Sequence, residues 1–146
     1  MDPNKIYLTQ TDTTVGFLSQ NPKKLNIVKN REENKPVLIE TDGLDTLKKF
    51  VRVPKKFKKR IRRAKKVTFI YPNGKSFRVV KDEVHLEFLQ KFSWLYSTSA
   101  NPHGKGFDEV WAKNCADIVI EDKRGLFEGE VSRIYKISKN RIRKIR

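Results

Sequence analysis

Apolar residues fall in short blocks, each about the length of one strand or one helical face. Ile6-Tyr7-Leu8 reads as a short strand. The polar cluster Thr11-Asp12-Thr13-Thr14 follows, and its hydroxyls and carboxylate suit a loop or a helix cap. Pro22–Val28 predicts a short helix, with proline near the first turn, where a missing N–H does no harm. Pro36-Val37-Leu38-Ile39 predicts a buried strand, and residues 44–50 and 54–63 predict helices. The clearest local signal is Val67-Thr68-Phe69-Ile70-Tyr71, then Pro72-Asn73-Gly74-Lys75, then Ser76-Phe77-Arg78-Val79-Val80. Asn-Gly between two β-rich runs predicts a hairpin, because both residues tolerate positive φ. Residues 83–92 repeat apolar side chains at helical spacing, and Trp94-Leu95-Tyr96 reads as a strand running into the polar stretch from Ser97 to Pro102. Residues 107–114 predict a helix, and residues 118–120, 131–137 and 141–145 predict strands.

Strands and helices intermix without a strict βαβ rhythm, and the hairpin must be antiparallel. The expected class is therefore α/β (α+β), a single domain over residues 1–146 with a mixed sheet.

Composition narrows the function. No run reaches the roughly 18 apolar residues of a membrane helix. Met1-Asp2-Pro3-Asn4-Lys5 has no apolar core of a signal peptide. Cys115 is the only cysteine, and His85 and His103 do not stand at metal-ligand spacing, so no disulfide and no protein metal site are expected. The expected setting is reduced and cytoplasmic. The net charge is +16, and it is concentrated. Residues 52–66 carry ten basic and no acidic side chains, and residues 133–146 carry seven more, again with no acid. Outside these segments the chain is nearly neutral. Clustered Lys and Arg attract nucleic acid, nucleotide phosphates or an anionic membrane, or they serve only as a solvated face. The membrane reading is the weaker, because Phe57 and Ile61 give only a narrow apolar stripe that could equally pin the segment to its own core.

Three polar clusters flank apolar strands, where sheet proteins place ligand contacts: residues 11–16, Lys29-Asn30-Arg31 and residues 97–101. Lys29 and Arg31, two apart on an extended segment, would point the same way and grip a polyphosphate. Taken singly, each cluster is equally a cap or a turn. No glycine-rich phosphate loop and no Ser or Cys triad pattern is present.

Taken in order, the clusters resemble the YrdC-like family of threonylcarbamoyl-AMP synthases. The family opens with a Pro-Thr-Asp/Glu-Thr-Val-Tyr-Gly loop, here Gln10-Thr11-Asp12-Thr13-Thr14-Val15-Gly16. Its Lys-x-Arg signature appears as Lys29-Asn30-Arg31, its Val-Thr strand as Val67-Thr68-Phe69-Ile70, and its Ser-Thr-Ser-Ala-Asn element is intact at Ser97 to Asn101. Arg78 resembles the family's threonine-site arginine, and Arg141-Ile142-Arg143 its terminal strand. Several pocket-shaping residues differ: Gln10 and Val80 replace prolines, Val15 replaces tyrosine, Ala64-Lys65-Lys66 replaces Pro-Gly-Pro, and Ser132 is what remains of Pro-Ser-Thr.

The resemblance implies a twisted mixed sheet flanked by helices around a concave basic cavity. It implies a reaction joining L-threonine, bicarbonate and ATP into threonylcarbamoyl-AMP and pyrophosphate, for threonylcarbamoyl modification of tRNA. Lys29, Arg31, Ser99, Asn101 and Arg143 would hold ATP. Thr11, Thr13, Thr68, Arg78, Thr98 and Ser132 would surround threonine. Mg2+ would arrive with the nucleotide, with no ligand from the protein. The alternative is a catalytically altered family member that binds tRNA or double-stranded RNA through residues 52–66 and 133–146. Partner proteins of tRNA modification fit either reading.

Overall fold

Side chains on a strand alternate between the two faces of a sheet, and in this chain both faces are largely apolar, so helices must cover both. A computed structural model describes residues 1–146. The elements run β1 (Tyr7–Gln10), β2 (Val15–Ser19), α1 (Pro22–Val28), β3 (Leu38–Thr41) and α2 (Leu44–Leu47). A 3-10 turn, Lys55–Phe57, leads into α3 (Lys58–Arg63). Then come β4 (Val67–Ile70), β5 (Ser76–Val79), α4 (Glu83–Leu89), β6 (Trp94–Ser99) and α5 (Glu109–Cys115). The chain closes with β7 (Ile118–Ile120), β8 (Arg133–Ile137) and β9 (Ile142–Lys144).

All nine strands form one mixed sheet in the order β7-β1-β2-β6-β3-β5-β4-β8-β9. The pairs β1/β7, β3/β5 and β4/β8 are parallel, and the others are antiparallel. One face buries Ile39, Phe69, Phe77 and Val79 against Leu47 and Val51 and against Ile61 of α3. The same face, further along, buries Leu8, Val15 and Phe17 against α1 and α5. The opposite face packs Tyr7, Leu18 and Leu95 against Phe88 and Leu89 of α4. Short polar side chains start these helices. Asn21 accepts from Lys24 N, Asp82 from Val84 N and His85 N, and Asp108 from Trp111 N.

The mixed fold and the 67–80 hairpin match the sequence expectation, and α1 matches at both ends. Three differences matter for the site. The polar stretch 11–14 is a tight turn between two paired strands, and β2 was not anticipated. The apolar run Val15-Gly16-Phe17-Leu18 is interrupted by glycine, which weakens a strand signal. Strand β6 does not stop at Tyr96 but runs to Ser99, because β2 and β3 pair with it on either side and supply ladder partners for its hydroxyl residues. Lys29 and Arg31 are not on an extended segment. Lys29 caps α1 and Asn30 turns left-handed at φ 54°, where asparagine is tolerated.

Candidate functional site

A cavity of about 160 Å3 opens on the α4 face of the sheet. Its wall combines Thr11, Thr13 and Thr14 of the β1–β2 turn, Ser97, Thr98 and Ser99 of β6, Arg78 of β5, and Ser132 and Arg146 from the C-terminal region. The volume lies below the roughly 300 Å3 at which drug-sized pockets begin. It suits a small polar ligand or one end of a larger one.

Beneath the cavity lies a buried charge network. Arg78 Nε meets both carboxylate oxygens of Asp12, at 3.1 and 3.2 Å, and Nη2 meets Glu40 Oε2 at 3.1 Å. The Glu40 Oε1 oxygen meets His85 Nε2 at 2.5 Å. All four side chains are buried. Burial alone would raise the carboxyl of Glu40, but His85 and Arg78 outweigh it and hold it low, at about 2. At Asp12 burial wins, and its carboxyl is raised despite Arg78. Burial opposes the charge on Arg78, yet Glu40 and Asp12 outweigh that and keep the guanidinium charged. Its Nη1 lies 3.5 Å from Thr68 Oγ1, and Thr68 shares a 2.8 Å hydrogen bond with Ser132. Two carboxylates and a histidine thus fix Arg78 before any ligand arrives. Asp12, Glu40 and His85 are site residues that the sequence pattern does not mark as such. The available signal was Glu40, a lone acid in an apolar strand.

The Lys29 ammonium is fully engaged. Nζ donates to Ser99 O at 2.9 Å, to Asn101 O at 2.5 Å and to Asn101 Oδ1 at 3.1 Å. It therefore holds the Ser-Thr-Ser-Ala-Asn turn in shape. Burial, and then the charge of Arg31, lower its pKa to about 8. Strand alternation sends Ser97 and Ser99 to the α4 face and Thr98 to the other. Arg31 Nη2 donates to Thr98 Oγ1 at 3.3 Å, and its buried Nε has no partner. An adjoining polar groove of about 530 Å3 is lined by Asn30, Arg31, Lys35 and His103.

Arg143 does not join them. It is exposed on β9 and pairs across from Lys136, two residues along β8 from Ile134. Ile134 is level with Thr68, so the cavity is met instead by Arg146, whose Nε and Nη2 donate to Ser132 O at 3.0 and 2.8 Å. The structure therefore brings Thr11, Thr13, Arg78, Thr98, Ser99 and Ser132 to one cavity. Thr68 stands behind Ser132, while Lys29, Arg31 and Asn101 stand behind the β6 end.

The β1–β2 turn is clamped from outside. Phe127 N donates to Gln10 Oε1 at 2.9 Å, and Gly129 N donates to Thr14 Oγ1 at 3.0 Å. A Cβ on Gly129 would stand 2.1 Å from the Thr13 carbonyl oxygen, so only glycine permits this approach. Arg124 anchors the same strap to Asp82 and Asp122, and to the Gln10 carbonyl.

The family model for Sua5, YciO and YrdC proteins, described as telomere recombination, matches residues 2–146. The chain belongs to the Sua5/YciO/YrdC family. No curated protein matches it. Among solved structures, it is similar to Sua5 of P. abyssi at 16% identity and a TM-score of 0.78, covering 97% of this chain and 49% of that one. It thus spans about half the length of that Sua5, which has also been solved with L-threonine. The MTH1692 protein of Methanobacterium thermoautotrophicum is 23% identical, with a TM-score of 0.70 over 97% of this chain and 79% of its own. Full-length HypF in a phosphate- and nucleotide-bound form is 15% identical, with a TM-score of 0.74 over 97% of this chain and 26% of its own. At these identities the likeness establishes the fold. No helix of this Sua5/YciO/YrdC member is long and apolar enough to cross a membrane.

Proposed function

We propose that this chain is an L-threonylcarbamoyladenylate synthase. The observation that carries the reading is the hydroxyl-lined cavity built over an arginine whose orientation is already set by two carboxylates. Sua5, solved with L-threonine, and HypF, solved in a phosphate- and nucleotide-bound form, each contain a stretch of this fold, and that supports it. Threonine would occupy the cavity, whose size fits an amino acid. Its carboxylate would face Arg78 and Arg146, and Thr11, Thr13 and Ser132 would meet its polar atoms. The nucleotide would cross the cavity mouth at Ser99 and Thr98 towards Arg31, whose unpaired Nε is suited to a phosphate oxygen.

The chemistry needs no protein nucleophile. The threonine amine combines with bicarbonate, loses water and becomes a carbamate. A carbamate oxygen then attacks the α-phosphorus of ATP as the bond to the β-phosphate oxygen breaks, and pyrophosphate leaves. The protein supplies orientation and cationic stabilisation of the phosphates. Lys29 acts at one remove, by holding Ser99 and Asn101. The buried carboxylates beneath the cavity, Asp12 and Glu40, are occupied by Arg78 and His85, so neither is a free ligand for Mg2+. A magnesium ion bound by the triphosphate would share the charge load. The adenylate would then pass to tRNA-modifying proteins.

The test is pyrophosphate release from ATP with threonine and bicarbonate omitted in turn. The reading expects release only when both are present. Release that ignores threonine, or none at all, refutes it.

A further inference from the structure

The second basic feature lies on the opposite face of the sheet, away from the cavity. Arg60 and Arg63 are three apart on α3 and so share one helical side. Arg133 and Tyr135 are two apart on β8 and share one strand face. That face is fixed by register: Arg133 pairs with Val67 and Tyr135 with Phe69, both of which point towards α3. These four side chains line a hollow of about 260 Å3. The Arg60 guanidinium lies 5.2 Å from the centre of the Tyr135 ring. At the other end of β4, beside Pro72, a larger groove of about 740 Å3 is lined by Arg52, Lys55, Lys56 and Lys139. No carboxylate lines either one. Pro72 lies five residues beyond Val67, two past the end of β4, which at about 3.3 Å per extended residue places the two hollows about 16 Å apart.

We propose that this face binds a short single-stranded nucleic-acid segment, with phosphates in both basic hollows and a base stacked on the Arg60–Tyr135 pair. A row of arginine forks and ammonium groups without acids matches a phosphodiester backbone. A guanidinium layered on an aromatic ring offers a flat cationic platform, which an unpaired base can cover and a paired base cannot. An anionic membrane fits less well. None of the exposed large apolar side chains belongs to residues 52–66, and Phe57 packs towards the core, so nothing there can enter lipid. The inference does not depend on the chemistry of the cavity.

The test uses the full chain and a fluorescent 12-residue oligouridylate, with anisotropy read across a salt series. Arg60→Gln/Arg63→Gln/Arg133→Gln should weaken binding at least tenfold and lower the salt slope by about 2, since each single-strand phosphate contact contributes about 0.7. Arg60→Lys/Arg63→Lys/Arg133→Lys keeps the charge; it should keep most of the slope yet lose affinity through the missing platform. Tyr135→Leu should weaken oligouridylate but not inorganic polyphosphate. Thermal melting of each variant checks that it is folded. Threonine-dependent pyrophosphate release should persist in the Gln variant, so loss of nucleic-acid binding and loss of synthase activity are read separately. An unchanged affinity in the Gln variant overturns the proposal. So does equal or tighter binding of a 12-base-pair RNA duplex, equal competition by polyphosphate, or binding confined to phosphatidylserine vesicles.

Discussion

Glu40→Gln is the sharpest probe of the buried network. The change keeps shape and removes one negative charge from a side chain with 0% exposure. A unit pair at 3.1 Å, the Arg78–Glu40 separation, attracts by about 5 kcal/mol at an effective dielectric of about 20. Desolvation of the two ions offsets part of that, and breaking a buried pair typically costs about 3 to 5 kcal/mol. The variant should therefore unfold at a lower urea midpoint with an unchanged m value, corresponding to about 3 kcal/mol. The pH dependence gives a second signature. The carboxyl of Glu40 is held low when folded, at about 2, so its contribution is complete above the unfolded value of about 4.5 and fades as pH falls towards 2. The raised carboxyl of Asp12 works oppositely: it favours the folded state at low pH and loses that contribution as pH rises through its folded value. Glu40→Gln should flatten the acid limb of the wild-type stability curve. A loss below 1 kcal/mol, or an acid limb identical to wild type, would refute the claim that Glu40 carries the network.

Three further outcomes follow from the geometry. Arg146→Ala should weaken threonine binding about tenfold by calorimetric titration, as expected for a lost charge-assisted hydrogen bond, while Arg143→Ala changes it less than twofold; equal effects would return Arg143 to the site. Gly129→Ala puts a Cβ 2.1 Å from a backbone oxygen that cannot move aside cheaply, so it should destabilise by about 1 to 3 kcal/mol in urea titration; an unchanged midpoint would remove the clamp on the β1–β2 turn. Lys29 loses its proton near pH 8 when folded and near 10.5 when unfolded, so stability should rise with pH between those values, whereas ATP affinity, which favours the charged ammonium, should fall as pH passes about 8. A flat affinity profile from pH 7 to 9.5 would show that Ser99 and Asn101 keep their nucleotide contacts without the charged Lys29.

Local chemistry was legible in the sequence where one residue type permits one geometry. Asn73-Gly74 placed its hairpin, and Pro22 placed the start of α1. The order of the polar clusters pointed to the family, and six of the proposed contacts do meet at one cavity. What stayed hidden depends on register. Nothing local distinguishes Arg143 from Arg146 on an edge strand where basic residues recur; only the pairing with β8 sets which one is level with Thr68. Glu40, Arg78 and His85 are scattered along the chain, and their union depends on β3 lying beside β5 and on α4 covering both. The end of β6 was hidden for the same reason, since serine and threonine are poor strand markers until partners flank them.

Strand β6 has a consequence for synthesis. Strands β2 and β3 do not pair with each other; in the sheet they are bridged by β6, residues 94–99. A ribosome adding about 5 to 20 residues per second finishes β3 at Thr41 several seconds before Trp94–Ser99, the piece that zips the halves together, is made. During that wait β2 and β3 expose open hydrogen-bonding edges to other nascent polypeptides. Selection for productive folding therefore acts on the half-made molecule on its way out of the exit tunnel, as well as on the finished one.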